Sequence, residues 1–252
     1  MVEKENKTFG LLGKNIEYSF SRGYFSKKFE KLNLQQYKYV NFDLQKIADF
    51  SSIIKKDSQS IAGVNVTIPY KQEVLQYLDL LDETAQEIGA VNTIKFLKNG
   101  QLKGYNSDVV GFEKSLLPLL EKHHKNALIL GTGGASKAVA FALKKNNIKF
   151  KFVSRNSQGL DLLSYQDVTK EIIEKYSIII NSTPVGTKPD VEKSPNIPYQ
   201  FITKNHLLYD LIYNPEVTQF LSKGRANGAI IKNGYEMLQL QAEESWRIWN
   251  EE

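Results

Sequence analysis

Apolar residues recur along this chain in two rhythms, every second residue and every third or fourth, and the rhythms take turns. Phe9-Gly-Leu-Leu-Gly13 reads as a short strand running into a tight glycine turn. Tyr24 to Leu32 has helical spacing, with Phe25 and Phe29 on one face and lysines on the other. Tyr37-Lys-Tyr-Val-Asn-Phe42 alternates and predicts a strand, and Leu44 to Ile54 predicts a second amphipathic helix. Ile61 to Ile68 is β-branched and bounded by Pro69, which predicts a strand ending there; Lys71 to Leu81 is again spaced as a helix. Val91 to Phe96 and Gln101 to Tyr105 flank Lys98-Asn-Gly100, and Asn-Gly between two such runs predicts a hairpin.

The second half keeps the alternation. Val109 to Leu120 predicts a helix, followed by a polar break at His123-His-Lys-Asn126. Ala127 to Leu130 predicts a buried strand, then a glycine turn, then a helix from Ala135 to Lys145. Further strands are expected at Phe150 to Ser154, Ser177 to Asn181, Leu207 to Leu211 and Ala229 to Ile231, with a closing amphipathic helix from Met237 to Trp249. Strands alternating with helices argue for an α/β protein with a parallel sheet. The boundary between two domains is expected near Asp108 to Phe112, where the hairpin ends.

Composition narrows the classes. A chain of 252 residues holds one large or two modest domains, and 41% hydrophobic with 24% charged residues is ordinary for a globular protein. No apolar run approaches the length of a membrane span, and Met1-Val-Glu-Lys-Glu-Asn-Lys7 has no apolar core, so no membrane association and a cytoplasmic location are expected. The absence of cysteine excludes disulfides, thiolate catalysis and thiolate metal ligands. Net charge is +5, which fits a phosphorylated cofactor or simply a lysine-rich solvated surface; the lysines are scattered and form no basic stripe with interleaved aromatics, so nucleic-acid binding is not expected. No metal site is expected, and His123, His124 and His206 are expected to be structural or solvent-facing.

Several segments carry chemistry. In Leu128-Ile-Leu-Gly-Thr-Gly-Gly-Ala-Ser136 a strand turns sharply into a helix, which aims backbone N–H groups at a phosphate; the turn alone also fits a purely structural corner, since Ser136 takes the place of a third glycine. The next strand ends at Ser154 and Arg155, where NAD-binding chains usually carry an acid, and an arginine there favours a 2′-phosphate. Asn181-Ser-Thr-Pro-Val-Gly186 is a polar turn after a strand, equally a cofactor contact or a capped turn. Ser19 and Ser21 lie on the same side if the backbone is extended, where two hydroxyls can bind one carboxylate. Asn65 and Thr67 share a strand face and can hold hydroxyls of a polyol; Lys71 follows as a candidate acid, and Asp108 closes Gly104-Tyr-Asn-Ser-Asp108.

Taken in order, Ser19 and Ser21, Asn65-x-Thr67-x-Pro69-x-Lys71, Gly89-Ala-Val-Asn92-Thr93, Asn106-Ser-Asp108, Gly131-x-Gly-Gly134, Ser154-Arg155, Asn181-x-Thr-Pro184-x-Gly186, Tyr209-Asp-x-x-Tyr213-Asn-Pro215 and Gly234-x-x-Met-Leu-x-x-Gln241-Ala resemble the shikimate dehydrogenase family over nearly the whole chain. The resemblance implies an N-terminal α/β substrate domain (1–108), with the closing helix (236–252) packed back on it, and a C-terminal Rossmann-like NADP domain with a parallel sheet (109–235). It implies reversible, NADPH-dependent reduction of 3-dehydroshikimate to shikimate on the route to chorismate and the aromatic amino acids. Lys71 and Asp108 would be the catalytic pair. Ser19 and Ser21 would hold the substrate carboxylate, and Asn65, Thr67, Asn92 and Gln241 the ring, with Tyr213 where substrate and nicotinamide meet. Gly131, Thr132, Gly133, Gly134, Ala135 and Ser136 would cradle NADP, together with Ser154, Arg155, Asn156, Thr183 and Gly234. A monomer or homodimer is expected.

The chain departs from the family pattern in places. Arg22 stands where proline is common, Ser107 where threonine is usual, Thr132 for a small alanine, Ser154 and Asn156 for Asn and Thr, Thr187 for a methionine and Glu236 for a glycine. None removes a proposed catalytic group. Two rival readings are a quinate/shikimate dehydrogenase using NAD, disfavoured by Arg155, and a non-catalytic sensor of a nucleotide or shikimate-like acid, disfavoured by the joint presence of Lys71 and Asp108.

Overall fold

The computed structural model describes residues 6–17, 19–57, 60–155 and 162–251. The chain divides into two units, Met1–Ser107 with Ala242–Glu252, and Asp108–Gln241. Among the described residues no helix is long and apolar enough to cross a membrane.

The first unit is built on a mixed sheet. Its strands are β1 (Lys7–Gly13), β2 (Tyr37–Asp43), β3 (Ile61–Val66), β4 (Leu80–Leu81), β5 (Thr93–Phe96) and β6 (Leu102–Tyr105), in the order β2-β1-β3-β5-β6-β4. β2 and β3 run parallel to β1, whereas β5 is antiparallel to both β3 and β6. The helices are α1 (Phe20–Lys31), α2 (Phe50–Asp57) and α3 (Glu83–Ile88). Alternation along the strands serves two cores. On β1, Phe9 and Leu11 join Phe25 and Phe29 of α1, while Leu12 joins Val64 and Val66 of β3 on the opposite face. Gly63 and Asn65, which alternate with Val64 and Val66, therefore face the α1 side.

Gly63 is there because nothing larger fits. A Cβ at this position would lie 2.2 Å from Nε1 of Trp249, whose indole donates to the Ile94 carbonyl at 3.0 Å and is thereby held. Gly63→Ala is expected to destabilise the protein by about 1–3 kcal/mol, the usual cost of overpacking. Thermal denaturation checks this; an unchanged Tm would mean that Trp249 is not held.

The second unit is a doubly wound parallel sheet. Its strands are β7 (Asn126–Leu130), β8 (Lys149–Ser154), β9 (Leu162–Ser164), β10 (Ile178–Asn181), β11 (Leu207–Asp210) and β12 (Ile230–Lys232). The order β12-β11-β10-β7-β8-β9, with every pairing parallel, is the Rossmann order. Helices α5 (Gly134–Lys145), α6 (Lys170–Lys175) and α7 (Gln219–Ala226) connect the strands, and α4 (Ser107–Leu116) and α8 (Tyr235–Asn250) each contain a unit boundary. Leu128, Leu130, Ile179, Leu208 and Phe220 lie in its core. The strand order reverses between β7 and β10, and open α/β sheets take ligands beyond the carboxyl ends of the strands at such a point.

Four sequence expectations need correction. Lys71 to Leu81 is not a helix but a 3₁₀ turn (Glu73–Tyr77) followed by β4. The Lys71 carbonyl is taken by the Val91 N–H at 2.7 Å, and Asp79 and Asp82 donate to the carbonyls of Leu102 and Gly104, so sheet pairing overrides the helical spacing. Leu44 does not begin a helix, because its N–H extends the sheet by donating to Gly13 at 2.9 Å; helical structure starts at Ile47. α1 starts four residues before Tyr24, because Ser19 caps it. For the same reason Ser19 and Ser21 are not an extended pair: Ser21 already lies in the helix.

Candidate active site

The first unit concentrates polar side chains in its interior. Asn65 is buried on β3. Its Oδ1 accepts from the Tyr39 hydroxyl at 2.9 Å, and its Nδ2 donates to Ser245 Oγ at 2.8 Å and to the Asn92 carbonyl at 3.3 Å. Tyr39 also bonds the Ser21 hydroxyl, and burial holds its phenol far above the usual tyrosine range. Asn92 accepts from the Ser107 N–H at 2.7 Å and donates to Ser107 Oγ at 3.0 Å, which fixes the start of α4 one residue before Asp108. Ser107, where threonine is usual, keeps the hydroxyl that this contact needs. Thr93 and Ser245 close the network, at 3.1 and 3.0 Å from Ser107 Oγ respectively and 2.8 Å from each other. The fold thus brings Ser21, Asn65 and Asn92 into one hydrogen-bonded set.

Other predicted residues of this unit stand beside that set. Ser19 caps α1, accepting from the Arg22 N–H at 3.4 Å. Thr67 follows β3 directly and prolongs its pairing with β1 by donating its N–H to the Leu12 carbonyl at 2.8 Å. Lys71 is half-buried, its main chain anchored by the Val91 bond.

In the second unit, Asp108 is buried in the first turn of α4. One turn on, Gly111 lets α8 approach: a Cβ there would meet the Met237 carbonyl at 2.6 Å and Gln241 at 3.0 Å. Gln241 is buried, and its amide donates to the Leu238 carbonyl at 3.0 Å within its own helix. Gly234 packs against the turn that leads to Tyr213, donating to Ile212 at 3.1 Å, and a Cβ would lie 2.1 Å from the Leu211 carbonyl. Tyr213 is partly exposed, yet its surroundings raise the phenol above its ordinary range through desolvation.

The glycine turn sits at the switch point. Gly131 has φ +103°, a conformation that favours glycine, and its N–H donates to Val153 on β8 at 2.8 Å. A Cβ there would come within 3.0 Å of Ser182 Oγ and the Thr183 methyl, so the turns after β7 and β10 touch. Gly133 is the N-cap of α5, caps it with no side chain, and has open space where a Cβ would project. Thr132 and Gly133 are exposed, Gly134 and Ala135 begin the helix, and Ser136 turns inward, its hydroxyl bonding the Gly133 carbonyl at 2.6 Å. A 12-residue helix whose end is left to its backbone N–H groups fits a pyrophosphate. Ser154 and the exposed Arg155 end β8 beside it, and no acid stands at either position. Asn156 lies outside the described residues. These residues fit a nucleotide bearing a 2′-phosphate.

Residues 11–94 match the family model described as the shikimate dehydrogenase substrate binding domain. The shikimate dehydrogenase (NADP(+)) of Methanococcus vannielii is 37% identical over 267 aligned residues, covering 99% of this chain and 93% of that protein. This chain belongs to the shikimate dehydrogenase family. The crystal structure of shikimate dehydrogenase 1 from Peptoclostridium difficile superposes with a TM-score of 0.84 at 39% identity, covering 96% of this chain and 91% of that one. Shikimate 5-dehydrogenase from Thermus thermophilus, solved with NADP(H) and shikimate, gives 0.85 at 30% identity and covers 97% and 93%. Membership extends over both units, and both carry the α/β architecture expected for a substrate domain and a Rossmann-like domain.

Sequence reasoning missed Tyr39, Ser245 and the part played by Asp210. Tyr39 sits on the apolar face of an alternating strand and reads as core. Ser245 lies on an amphipathic helix, where nothing marks a buried serine. Asp210 had a signal: an acid ending the apolar run Leu207-Leu-Tyr209 is carried inside by its strand.

Proposed function

We propose that this chain is an NADP-dependent shikimate dehydrogenase, an oxidoreductase that interconverts 3-dehydroshikimate and shikimate and serves chorismate and aromatic amino-acid biosynthesis. The observation that carries this reading is full-length kinship with shikimate dehydrogenases (NADP(+)) in a chain that keeps Lys71, Asp108 and Arg155. When bound, NADPH supplies the hydride for the ketone carbon. Lys71 stabilises the negative charge growing on the substrate oxygen and gives it a proton. Asp108 orients the lysine and accepts from the neighbouring ring hydroxyl. Ser19 and Ser21 hold the substrate carboxylate, while Asn65, Thr67, Asn92 and Gln241 hold the ring. Gly131 to Ser136, Ser154, Asn156, Thr183 and Gly234 receive the cofactor, and Tyr213 stands at the nicotinamide end. The domain assignment of 1–108 for substrate and 109–235 for NADP, with 236–252 serving the first, belongs to the same proposal, as does a cytoplasmic monomer or homodimer. The test is nucleotide reduction followed spectrophotometrically with shikimate and NADP, against NAD and against quinate. Turnover with shikimate and NADP above both controls is expected; NADPH binding without turnover would refute the proposal.

Arg155 sets the cofactor preference. Two N–H bonds from its guanidinium to a 2′-phosphate are charge-assisted, worth about 1.5–3 kcal/mol. Arg155→Ala is expected to raise KM for NADP by about tenfold or more while leaving NAD use nearly unchanged. Equal weakening of both cofactors would show that Arg155 reads something other than that phosphate.

A further inference from the structure

Asp210 is the last residue of β11 and fully buried, and among the described residues no lysine or arginine pairs with it. Three donors meet it instead. Oδ1 accepts from Asn181 Nδ2 at 3.0 Å and from the Ile212 N–H at 3.0 Å, and Oδ2 accepts from the Thr218 hydroxyl at 2.6 Å. The chain of bonds continues from Asn181, whose Oδ1 accepts from the N–H and the hydroxyl of Thr183 at 3.1 and 2.6 Å. Thr183 Oγ1 then accepts from the Val185 N–H at 3.2 Å. One carboxylate therefore fixes two turns at the carboxyl edge of the sheet. The first, after β10, lies against Gly131 across the switch point; the second, after β11, runs through Ile212 into Tyr213.

A buried carboxylate without a counter-ion is costly, and a fold retains one where its acceptors are needed. An ionised carboxylate suits this place best: all three neighbours donate to it, and Thr218 already accepts from the Leu221 N–H at 3.3 Å as the cap of α7. We propose that Asp210 is a positioning residue of the cofactor site, acting through Asn181 and Thr183 on one side and Ile212 on the other. This inference rests on the NADP-binding reading above.

Protonation supplies a test. Burial pushes the Asp210 carboxyl up to about 6, with Thr218, Ile212 and Asn181 holding it below a still higher value. The groups facing it from β10 and α7 are neutral. The ionisable side chain whose field it shares is Tyr199, and burial keeps that phenol protonated throughout the range of interest. Below about pH 6 the carboxyl gains a proton and loses the charge that its three donors bind, which weakens those bonds and loosens both turns.

The experiment measures the Kd of NADPH by fluorescence titration from pH 5 to 8 for the wild type, Asp210→Asn and Thr218→Val, with Tm followed in parallel. Comparing proteins at each pH removes the ligand's own titration. Asp210→Asn is expected to bind NADPH about tenfold more weakly than wild type at pH 7.5, with the gap closing toward pH 5. Thr218→Val keeps the shape but removes one donor, so the pH at which binding weakens is expected to move upward. It also keeps the test decisive should Asp210→Asn not fold. A fall in Tm with Kd unchanged at pH 7.5, a gap that does not close by pH 5, or an unmoved midpoint in Thr218→Val overturns the proposal. A wild type that binds NADPH in this way but does not oxidise shikimate refutes the function and not this inference.

Discussion

Alanine at position 71 is expected to lower kcat for shikimate oxidation by about 10²-fold or more, the usual range for a lost general acid or base, with KM for shikimate changed far less. The fold makes this a test of chemistry and not of folding. The Lys71 main chain is tied to Val91 at 2.7 Å, and the preceding residue is tied separately, through the Tyr70 hydroxyl to the Leu44 carbonyl at 2.7 Å. Removing the side chain leaves both of these bonds intact. Lys71→Arg is the informative control. It keeps the positive charge, but a guanidinium does not give up its proton near neutral pH, so it is expected to leave KM near wild type without restoring kcat. Steady-state kinetics of the two variants, with Tm as a check on folding, decide the matter. A Lys71→Ala enzyme with near-normal kcat removes the lysine from the reaction.

The alternation of elements was legible in the sequence because most strands carry their own apolar signal. Leu128 to Leu130 and Ile178 to Ile180 are uninterrupted apolar runs, and such runs belong to strands buried on both faces of a parallel sheet. The Asn99-Gly100 hairpin and the glycine turn at 131 are fixed by local backbone chemistry. What escaped reading depends on distant partners. β4 has two residues and exists because Leu80 and Leu81 pair with Lys103 and Gly104; α3 is one and a half turns, announced only by Asp82 as its cap and Gly89 at φ +65°. β9, α6 and α7 are short, and their periodicity does not rise above the polar residues around them. The site divides in the same way. Gly131 and Arg155 declare themselves by position after a strand, whereas the set joining Ser21, Tyr39, Asn65 and Ser245 spans more than 200 residues of chain and no local pattern predicts it.

Loss of both hydroxyls at positions 19 and 21 is expected to weaken shikimate binding more than any other change on the substrate side. Each hydrogen bond to the substrate carboxylate is worth about 1.5–3 kcal/mol, so Ser19→Ala/Ser21→Ala should raise KM by more than about 10²-fold. Both side chains also have duties within the fold. Ser19 caps α1, and an alanine cap costs about 1 kcal/mol; Ser21 bonds Tyr39, which in turn holds Asn65. A rise in KM could thus come from a lost clamp or from a frayed helix. Ser19→Asp separates the two, because aspartate caps a helix as well as serine does but sets a negative charge against the substrate carboxylate. It is expected to keep Tm near wild type while raising KM steeply. If Ser19→Asp leaves KM unchanged, Ser19 serves the helix alone. Arg22 provides the opposite control. It is exposed, and its contribution to the cap is its backbone N–H, which alanine retains, so Arg22→Ala should hardly alter KM at low or high salt. A large, salt-sensitive loss in Arg22→Ala, with little change in the double serine variant, would transfer the carboxylate from the hydroxyls to the guanidinium.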